Sequence, residues 1–334
     1  MSRRTVHRRL RIEELEPRIA PAILVQTLTD LQNMKNNLAG SYLLANDIDA
    51  SSTTSWNLGA GFEPIGSQSS PFTGRFDGGN HAITGLNINR PSQDYVGLFG
   101  YASNGSIITN VGLTGGSVSG GSYVGALVGE LDGSLHGATV SYCYGTGSVV
   151  GTPAGLTGAV DVGGLVGNVS YAKVSNSYAR GTVSSSCASD LGGLVGVNGG
   201  TVSDSYAAAS VSGGNNSWDV GGLVGGNAGT LSNSYATGSV TTTASPPGSL
   251  SGGSEVGGLA GKNGETISNC YATGAVTTSM GSNAVGGLVG SNWSGQIFNS
   301  YERGSVTVGD YSSEFGGLVA PTSARFPMDM RPGA

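Results

Sequence analysis

The chain has 334 residues and a net charge of −6, and 60 of its residues are glycine while only 11% are charged. Intrinsic disorder combines low hydrophobicity with high net charge, so a hydrophobic share of 37% argues against simple disorder. Outside residues 1–18 acidic residues outnumber basic ones, which argues against nucleic-acid binding because phosphate contacts need clustered Lys and Arg.

Residues 1–26 differ in composition from the rest of the chain. Six arginines stand within residues 1–18, against three glutamates. A secretory signal has about 7–15 uninterrupted apolar residues after its basic part, and the segment EELEPR at 13–18 interrupts that run. Residues 15–18 read LEPR, which resembles an N-terminal motif of large bacterial surface proteins. The resemblance implies export, and we expect residues 1–26 to form a basic, targeting-like and disordered segment.

Residues 27–94 are predicted to form an N-terminal cap followed by the first coils of the fold. Asp30 is expected to cap a short helix over residues 31–37. Such a helix would close the first coil and shield its open sheet edge. The DGGN segment at 77–80 is expected to be a turn that joins two strands.

Three acidic residues of this segment are candidates for an acid pair or a calcium site. Asp47 and Asp49 are two residues apart, so on a strand they would share one face, and Asp77 is a candidate neighbour. The alternative is that these carboxylates lie at solvated strand ends or in turns.

A hexad of the type VGGLVG recurs through the rest of the chain. Its copies are YVGLFG at 95–100, VGALVG at 124–129, VGGLVG at 162–167, LGGLVG at 191–196, VGGLVG at 220–225, VGGLAG at 256–261, VGGLVG at 285–290 and FGGLVA at 315–320. Successive copies end 29, 38, 29, 29, 36, 29 and 30 residues apart. A period of 29 residues with occasional insertions identifies a repeat protein.

A second motif, here called the arm, lies between the hexads. Its copies include KVSNSYARGTV at 173–183, TVSDSYAAASV at 201–211 and TLSNSYATGSV at 230–240. Glycines and β-branched residues disfavour helical repeats, and the L-x-x-L-x-L ladder of leucine-rich repeats is missing. Val, Thr, Tyr and Ile between Gly, Asn and Ser predict short strands. We therefore predict an all-β right-handed parallel β-helix (β-solenoid) of about eight coils, with a short N-terminal capping helix and coils about 4.8 Å apart.

In-register stacking would place equivalent residues of successive repeats in columns. One predicted column, with a structural role, contains Tyr144, Tyr178, Tyr206, Tyr235, Tyr271 and Tyr301. A second, predicted to be an amide ladder at a bend, contains Asn176, Asp204, Asn233, Asn269 and Asn299. Cys143 and Cys270 share a slot with serines, and four coils would separate them by about 19 Å, too far for a disulfide.

The VGGLVG hexads and SNSYATGSV arms resemble the GLUG repeat of bacterial adhesins, filamentous-haemagglutinin-like proteins and IgA-peptidase-associated regions. The resemblance covers residues 95–320, and the segments NDID at 46–49, FEPIG at 62–66 and FTGRFDGGNHAITGLNI at 72–88 resemble the β-helix start that precedes such repeats. It implies an extracellular or cell-surface β-solenoid. Residues 321–334 follow the repeats and are expected to be a flexible tail.

The two long insertions, at 150–161 and 241–255, fall at the same place in the repeat, between the arm's last Val and the next hexad. Insertions at one repeat position emerge on one edge of a solenoid, which is often its binding face. Acidic residues stand directly before the hexads there. The candidate binding-edge residues are Asp161, Asp190, Trp218, Asp219, Glu255, Tyr311 and Glu314. The alternative is that the acids only end strands and keep the edge soluble.

Evidence for catalysis in the sequence is thin. It has no HExxH, GxSxG, P-loop or zinc-ligand cluster, so we assign no catalytic residue and no cofactor and expect no enzyme. It also has no run of 18 apolar residues, so no transmembrane helix is predicted. The leading hypothesis is an adhesin-like, non-catalytic surface module that binds a host, cell, matrix or glycan partner through one loop edge. The alternatives are a carbohydrate-active β-helix, of lyase or hydrolase type, and a purely structural spacer.

Overall fold

The computed structural model describes residues 21–152, 160–214, 217–243, 255–279, 282–310 and 312–320. The predicted tail at 321–334, most of the targeting-like segment and most of both insertions lie outside the described residues. Within them the fold is all-β, and its strands form three sheets in which neighbouring strands run parallel.

Sheet 1 contains the strands that follow the hexads and lead into the arms. It has 15 strands: Ile23–Val25, Ser41–Leu44, Arg75–Asp77, Phe99–Ser103, Ile107–Thr109, Val128–Asp132, Thr139–Ser141, Val166–Ser175, Val195–Ser203, Val224–Asn227, Thr230–Ser232, Ala260–Asn263, Thr266–Ser268, Val289–Asn292 and Gln296–Phe298. Its pairing continues without a break from the predicted N-terminal segment into the repeats, because Arg75 pairs with Ile107.

Sheet 2 contains the strands formed by the second half of each arm. It has 15 strands: Ile48–Asp49, Ala82–Thr84, Asn87–Arg90, Gly112–Thr114, Ser117–Gly120, Tyr144–Gly145, Ser148–Gly151, Tyr178–Ser185, Tyr206–Gly213, Tyr235–Ala236, Val240–Thr242, Tyr271–Ala272, Val276–Thr278, Tyr301–Glu302 and Val306–Thr307. The predicted 77–80 turn links sheet 1 to sheet 2, between Arg75–Asp77 and Ala82–Thr84.

Sheet 3 contains the short strands that open the hexads. Its seven strands are Val124–Gly125, Asp161–Gly163, Asp190–Gly192, Asp219–Gly221, Glu255–Gly257, Ala284–Gly286 and Phe315–Gly316. Val96 forms an isolated parallel bridge to Val124, so all eight hexads stack in one column. The predicted parallel β-solenoid of about eight coils is confirmed.

The core is built from the apolar positions of the hexad and the arm. In one coil Val162, Leu165, Val166, Val174 and Val183 are each no more than 1% exposed. The four valines pair in register with apolar residues of the next coil, which are Leu191, Val195, Val202 and Val211. Burying one such side chain contributes about 1.5–3 kcal/mol, and a single coil could not provide that burial without its neighbours.

The hexad glycines are required by close backbone packing rather than by unusual dihedral angles. A Cβ atom on Gly192 would lie 1.9 Å from the carbonyl oxygen of Val195, within the same tight turn. A Cβ atom on Gly193 would lie 2.1 Å from the carbonyl oxygen of Gly222 in the next coil. The first glycine therefore permits the turn and the second permits the stacking of coils.

A short helix lies at the N-terminal end of the solenoid, as predicted, but it begins earlier than expected. The α-helix is Leu28–Asn33, and two 3-10 segments follow at Met34–Asn36 and Ser51–Gly59. Thr27 is the N-cap rather than Asp30, because the Thr27 hydroxyl accepts a hydrogen bond from the Asp30 backbone N–H. The Asp30 carboxylate accepts one from the Thr27 backbone N–H in return, which completes a capping box.

Both predicted columns are present. The asparagine column lies in the bend between sheet 1 and sheet 2, and the tyrosine column lies at the start of the sheet 2 strands. Adjacent tyrosine rings of the predicted column stack with centroids 4.7–5.3 Å apart. Asn233, Asn269 and Asn299 each donate a side-chain hydrogen bond to the preceding member of their column at 3.2–3.3 Å. Cys143 and Cys270 are buried free thiols that pack as small core residues, in agreement with the predicted absence of a disulfide between them.

Candidate functional site

The residues that flank each hexad lie on facing strands. The hexad turns the chain from sheet 3 into sheet 1, so the residue before it begins sheet 3 and the residue after it belongs to sheet 1. In one coil the Asn168 side-chain amide donates to the Asp161 carboxylate at 2.8 Å. The residues that directly precede the hexads form one column, and those that directly follow the hexads form another. We call the two columns together the acidic corner.

The acidic corner is defined by strand register. In the first copy the opening hexad position is Val96, which pairs with Val124, so Tyr95 takes the place of the residue before the hexad. The column before the hexads therefore contains Tyr95, Tyr123, Asp161, Asp190, Asp219, Glu255 and Ala284. The column after the hexads contains Tyr101, Glu130, Asn168, Val197, Gly226, Lys262 and Ser291.

The candidate binding-edge acids do not all lie on a solvated loop edge. Asp161 is 4% exposed, and Asp190, Asp219 and Glu255 are partly buried. All four begin sheet 3 strands, where side chains stack on those of the neighbouring coils. Glu314 directly precedes the Phe315–Gly316 strand at the C-terminal end of the same column.

Space for the stacked carboxylates comes from a small residue in the facing column. A Cβ atom on Gly226 would lie 2.3 Å from Oδ1 of Asp190. Glycine at this position therefore allows the Asp190 carboxylate to lie against the sheet 1 backbone. Larger residues occur elsewhere in the facing column, such as Asn168, whose amide donates to the Asp161 carboxylate.

Burial and mutual repulsion raise the pKa values of these carboxyl groups. Loss of solvation, followed by the charges of Asp161 and Asp132, raises the pKa of Glu130 to about 8. Loss of solvation also raises the pKa of Asp161 to about 6, although the hydrogen bond from Asn168 opposes the shift. The pKa values of Asp190 and Asp219 are raised as well, first by loss of solvation and then by neighbouring carboxylates. Near neutral pH the Glu130 carboxyl group is therefore mostly protonated.

One cation of the chain lies in the C-terminal half of the acidic corner. The Lys262 ammonium lies 4.3 Å from the ring centroid of Trp293, a cation–π contact. Its charge opposes the rise in the pKa values of Asp190 and Asp219. The indole N–H of Trp293 donates to the Glu255 carboxylate at 3.2 Å, which fixes the ring beside the acids.

The N-terminal half of the acidic corner is aromatic. The rings of Tyr95 and Tyr123 stack at 4.8 Å, and Tyr101 meets Tyr95 edge-on at 5.3 Å. The Tyr101 hydroxyl donates to Asp132 at 3.1 Å. Glu130 pairs in register with Tyr101 and is 8% exposed.

The long tyrosine column is a poor platform for stacking a ligand. Its inner rings cover one another on both faces at van der Waals distance, as Tyr206 does between Tyr178 and Tyr235. The Arg180 guanidinium lies 5.1 and 5.8 Å from the ring centroids of Tyr178 and Tyr206 and donates to the Tyr206 hydroxyl at 2.9 Å. The column therefore stabilises the stack, as the sequence predicts.

A polar groove lies where both insertions leave the solenoid. It has a volume of about 510 Å³ and crosses four coils. Hydroxyl and glycine residues dominate its lining: Val150, Gly151, Thr152, Ser184, Ser185, Ser186, Ser212, Gly214 and Thr243. Trp218, in the segment that links sheet 2 to sheet 3, is 61% exposed, and Tyr311 lies outside the described residues. We call the groove and Trp218 the insertion edge.

The three N-terminal acids form separate hydrogen-bond sets. Asp47 accepts from His81 at 3.1 Å and from the Ala82 backbone N–H at 2.9 Å. Asp49 accepts from the backbone N–H of the residue two positions on, and Asp77 accepts from Asn110 and the backbone of its own turn. In the part of the chain that the structure describes, no group of three such side chains is arranged to hold a metal ion.

Sequence reasoning missed the column that follows the hexads. Glu130 and Lys262 directly follow their hexads, just as Asp161 and Glu255 directly precede theirs. The sequence therefore contained a signal for this column. A hexad that turns the chain from sheet 3 into sheet 1 brings the residues before and after it close together. Trp293 lies two residues beyond this column and has no counterpart in the other repeats.

Three segments of the repeats match a known protein-family model. The model of the GLUG motif matches residues 158–184, 216–241 and 252–277. The chain is 42% identical over 170 residues to halomucin of Haloquadratum walsbyi, which is 49% of this chain but 2% of halomucin. It is 37% identical over 118 residues to a putative Gly-rich membrane protein of Evansella cellulosilytica, covering 34% of this chain and 13% of that protein. The chain thus spans only a small part of the curated relatives it matches.

A solved structure shares the fold. The crystal structure of a putative immunoglobulin A1 protease from Bacteroides ovatus superposes with a TM-score of 0.56, covering 88% of this chain and 84% of the other at 21% identity. At this identity the likeness concerns the fold alone. No helix among the described residues has the length and apolar character needed to cross a bilayer. The chain is a parallel β-solenoid that carries the GLUG motif in three of its coils.

Proposed function

We propose that the chain is a non-catalytic, adhesin-like β-solenoid module that acts outside the cell or at its surface and binds a cell-surface protein or glycan through the insertion edge. One observation carries the proposal. Both long insertions leave the solenoid beside a hydroxyl-lined groove, with an exposed tryptophan in the same linking segment of the repeat.

The chemistry of the insertion edge suits a polar, extended ligand. Ser184, Ser186, Ser212 and Thr243 offer hydroxyl groups that both donate and accept hydrogen bonds. Trp218 offers a large amphipathic face, which is the kind of side chain that most often anchors an interface. Coils that repeat at a constant spacing present such groups at regular intervals, which matches a repeating polymer such as a glycan.

The relatives support a surface location. One is named halomucin and another a Gly-rich membrane protein, and they match parts of this chain at 42% and 37% identity. The described coils stack in continuous sheets, an arrangement that can hold a binding edge away from the surface that carries it.

Binding to immobilised glycans and to intact cells tests the proposal. The full chain is compared with a variant that carries Trp218→Ala and in which residues 153–158 and 245–251 are removed, which shortens the two long repeats from 38 and 36 residues to 32 and 29. We expect the wild-type chain to bind and the shortened variant, with an unchanged β circular-dichroism spectrum, to lose binding. Equal binding by both proteins would refute the insertion edge, and binding by neither would favour a structural spacer.

A further inference from the structure

A carboxylate without a partner lies within the N-terminal half of the acidic corner. Glu130 is 8% exposed, and its carboxylate accepts no hydrogen bond from any described residue. The charged groups that face it are Asp161 on sheet 3 and Asp132 on its own strand, both acidic. Among the described residues, no lysine, arginine or histidine forms an ion pair with any of them. Burying this group as an anion is costly, so near neutral pH it holds a proton, which a bound cation would displace.

Aromatic rings surround the same carboxylate. Tyr95 and Tyr123 stack beside Asp161 in the column before the hexads, and Tyr101 is the register partner of Glu130 in the facing column. The faces of tyrosine rings attract cations. Rings together with uncompensated carboxylates are the environment that an organic cation requires.

The C-terminal half of the corner shows how such a cation fits. Lys262 occupies the same register column as Glu130, four coils further on. Its ammonium contacts the ring of Trp293 and lies near Asp190 and Asp219. The chain therefore already places one primary ammonium group between an aromatic ring and the acidic column.

From this comparison we propose that the N-terminal half of the acidic corner binds a primary ammonium group of a ligand, between Glu130, Asp161 and the rings of Tyr95, Tyr101 and Tyr123. A lysine side chain and a polyamine both carry this group. A metal ion fits less well, since no three ligating side chains converge among the described residues. The proposal concerns a different surface from the insertion edge and does not depend on it.

Isothermal titration calorimetry of the full chain tests the proposal with three probes: n-butylamine, spermidine, and a lysine-rich peptide with its lysine-acetylated form as control. We expect binding of butylamine and of at least one larger probe, and no binding of the acetylated peptide. Spermidine binding alone would identify a polyamine as the source, and peptide binding alone would identify a protein. Because the pKa of Glu130 is about 8, binding at pH 7 should release protons, seen as a binding enthalpy that depends on the buffer.

Single substitutions distinguish binding at this site from general electrostatic attraction to an acidic protein. Glu130→Gln and Asp161→Asn should each weaken binding at least about tenfold, while Asp204→Asn, which removes one charge from the exposed asparagine column, should leave it unchanged. Circular dichroism confirms that each variant is folded. Binding of no probe by the folded wild-type chain, equal loss in Asp204→Asn, or tighter binding of Ca²⁺ that is lost in the same variants would overturn the proposal.

Discussion

The Asn227 side-chain amide donates to Oδ1 of Asn263 at 2.7 Å, although 36 residues separate the two in the chain. Asn198 donates to Asn227 at 2.8 Å, and Asn263 donates to Asn292 at 2.7 Å. The first three amides are no more than 2% exposed. This buried amide ladder continues across the 241–255 insertion, so the insertion leaves the register of the coils unchanged.

Asn227→Ala should destabilise the solenoid more than a change in the exposed asparagine column. The substitution leaves Oδ1 of Asn263 without its donor and removes one of the two acceptors of the Asn198 amide. An unsatisfied buried group costs about 1–3 kcal/mol. Urea unfolding followed by circular dichroism measures the loss. The matched control is Asn233→Gly, since Asn233 is exposed and has a φ of 49°, which glycine adopts readily. Equal losses in the two variants would contradict the importance of the buried ladder.

Gly192→Ala should prevent one coil from forming its hexad turn. The new methyl group would lie 1.9 Å from the Val195 carbonyl oxygen, a distance that only backbone movement can relieve. We expect a loss of at least about 3 kcal/mol or failure to fold. Gly264→Ala is the control, because its Cβ atom would lie 3.6 Å from the nearest atom, in ordinary contact. A stable Gly192→Ala protein with the wild-type unfolding midpoint would show that the turn is not as tight as described.

Tyr206→Ala should cost more than the same change at the end of the column. Tyr206 stacks on two rings, at 4.8 and 4.9 Å, whereas Tyr301 stacks on Tyr271 alone, at 5.3 Å. Stacked aromatic pairs contribute about 0.5–1.5 kcal/mol each beyond the burial of their area. Chemical denaturation should therefore give roughly twice the loss for Tyr206→Ala as for Tyr301→Ala. The reverse order would mean that the column adds little to the stability of the stack.

The acidic corner should make the protein less stable as the pH rises. Glu130 and Asp161 have folded-state pKa values of about 8 and about 6, above their ordinary values of 4.5 and 3.8. The folded state thus binds more protons between about pH 4 and pH 8, so the free energy of unfolding falls as the pH rises through this window. For Asp161 the shift corresponds to about 3 kcal/mol.

Melting temperatures at pH 4.5 and pH 8.5 measure this effect. The wild-type protein should melt at the higher temperature at pH 4.5, and Glu130→Gln with Asp161→Asn should reduce the difference, because neither side chain then needs to ionise in a buried site. Below about pH 4 a second loss should begin, since hydrogen bonds hold the pKa values of Asp47 and Asp77 below their ordinary value. A melting temperature that rises from pH 4.5 to pH 8.5 would contradict the protonated corner.

The fold can be predicted from the sequence because the same hexad and arm recur in successive repeats. Once Tyr178 and Tyr206 are known to be equivalent, stacking in register is the arrangement that buries the hexad valines and pairs the glycine-rich backbone. Features that occur only once in the chain, such as the cap of the N-terminal helix, are harder to predict. Asp30 resembles an N-cap residue in isolation, and only the orientation of the Thr27 hydroxyl distinguishes the cap from the third helical position.

Only one of the two columns of the acidic corner could be predicted from the sequence, for a similar reason. The acids before the hexads recur with the repeat, so their column was visible in the sequence. Glu130 and Lys262 each occur once in theirs, among residues of unrelated type. The burial of Asp161 was also hidden, because this residue begins a buried strand although it directly follows a loop-like insertion in the sequence.

The most direct test of the insertion edge as a binding surface is the dissociation constant of the full chain for its best glycan or cell-surface target, compared between two single variants. Trp218→Ala removes the exposed aromatic of that edge, and Tyr171→Ala removes a side chain of similar exposure, 75% against 61%, in the bend within Val166–Ser175. We predict that Trp218→Ala raises the dissociation constant at least about tenfold, or about 1.4 kcal/mol, while Tyr171→Ala leaves it unchanged. An unchanged constant in Trp218→Ala, or an equal rise in both variants, would contradict binding through the insertion edge.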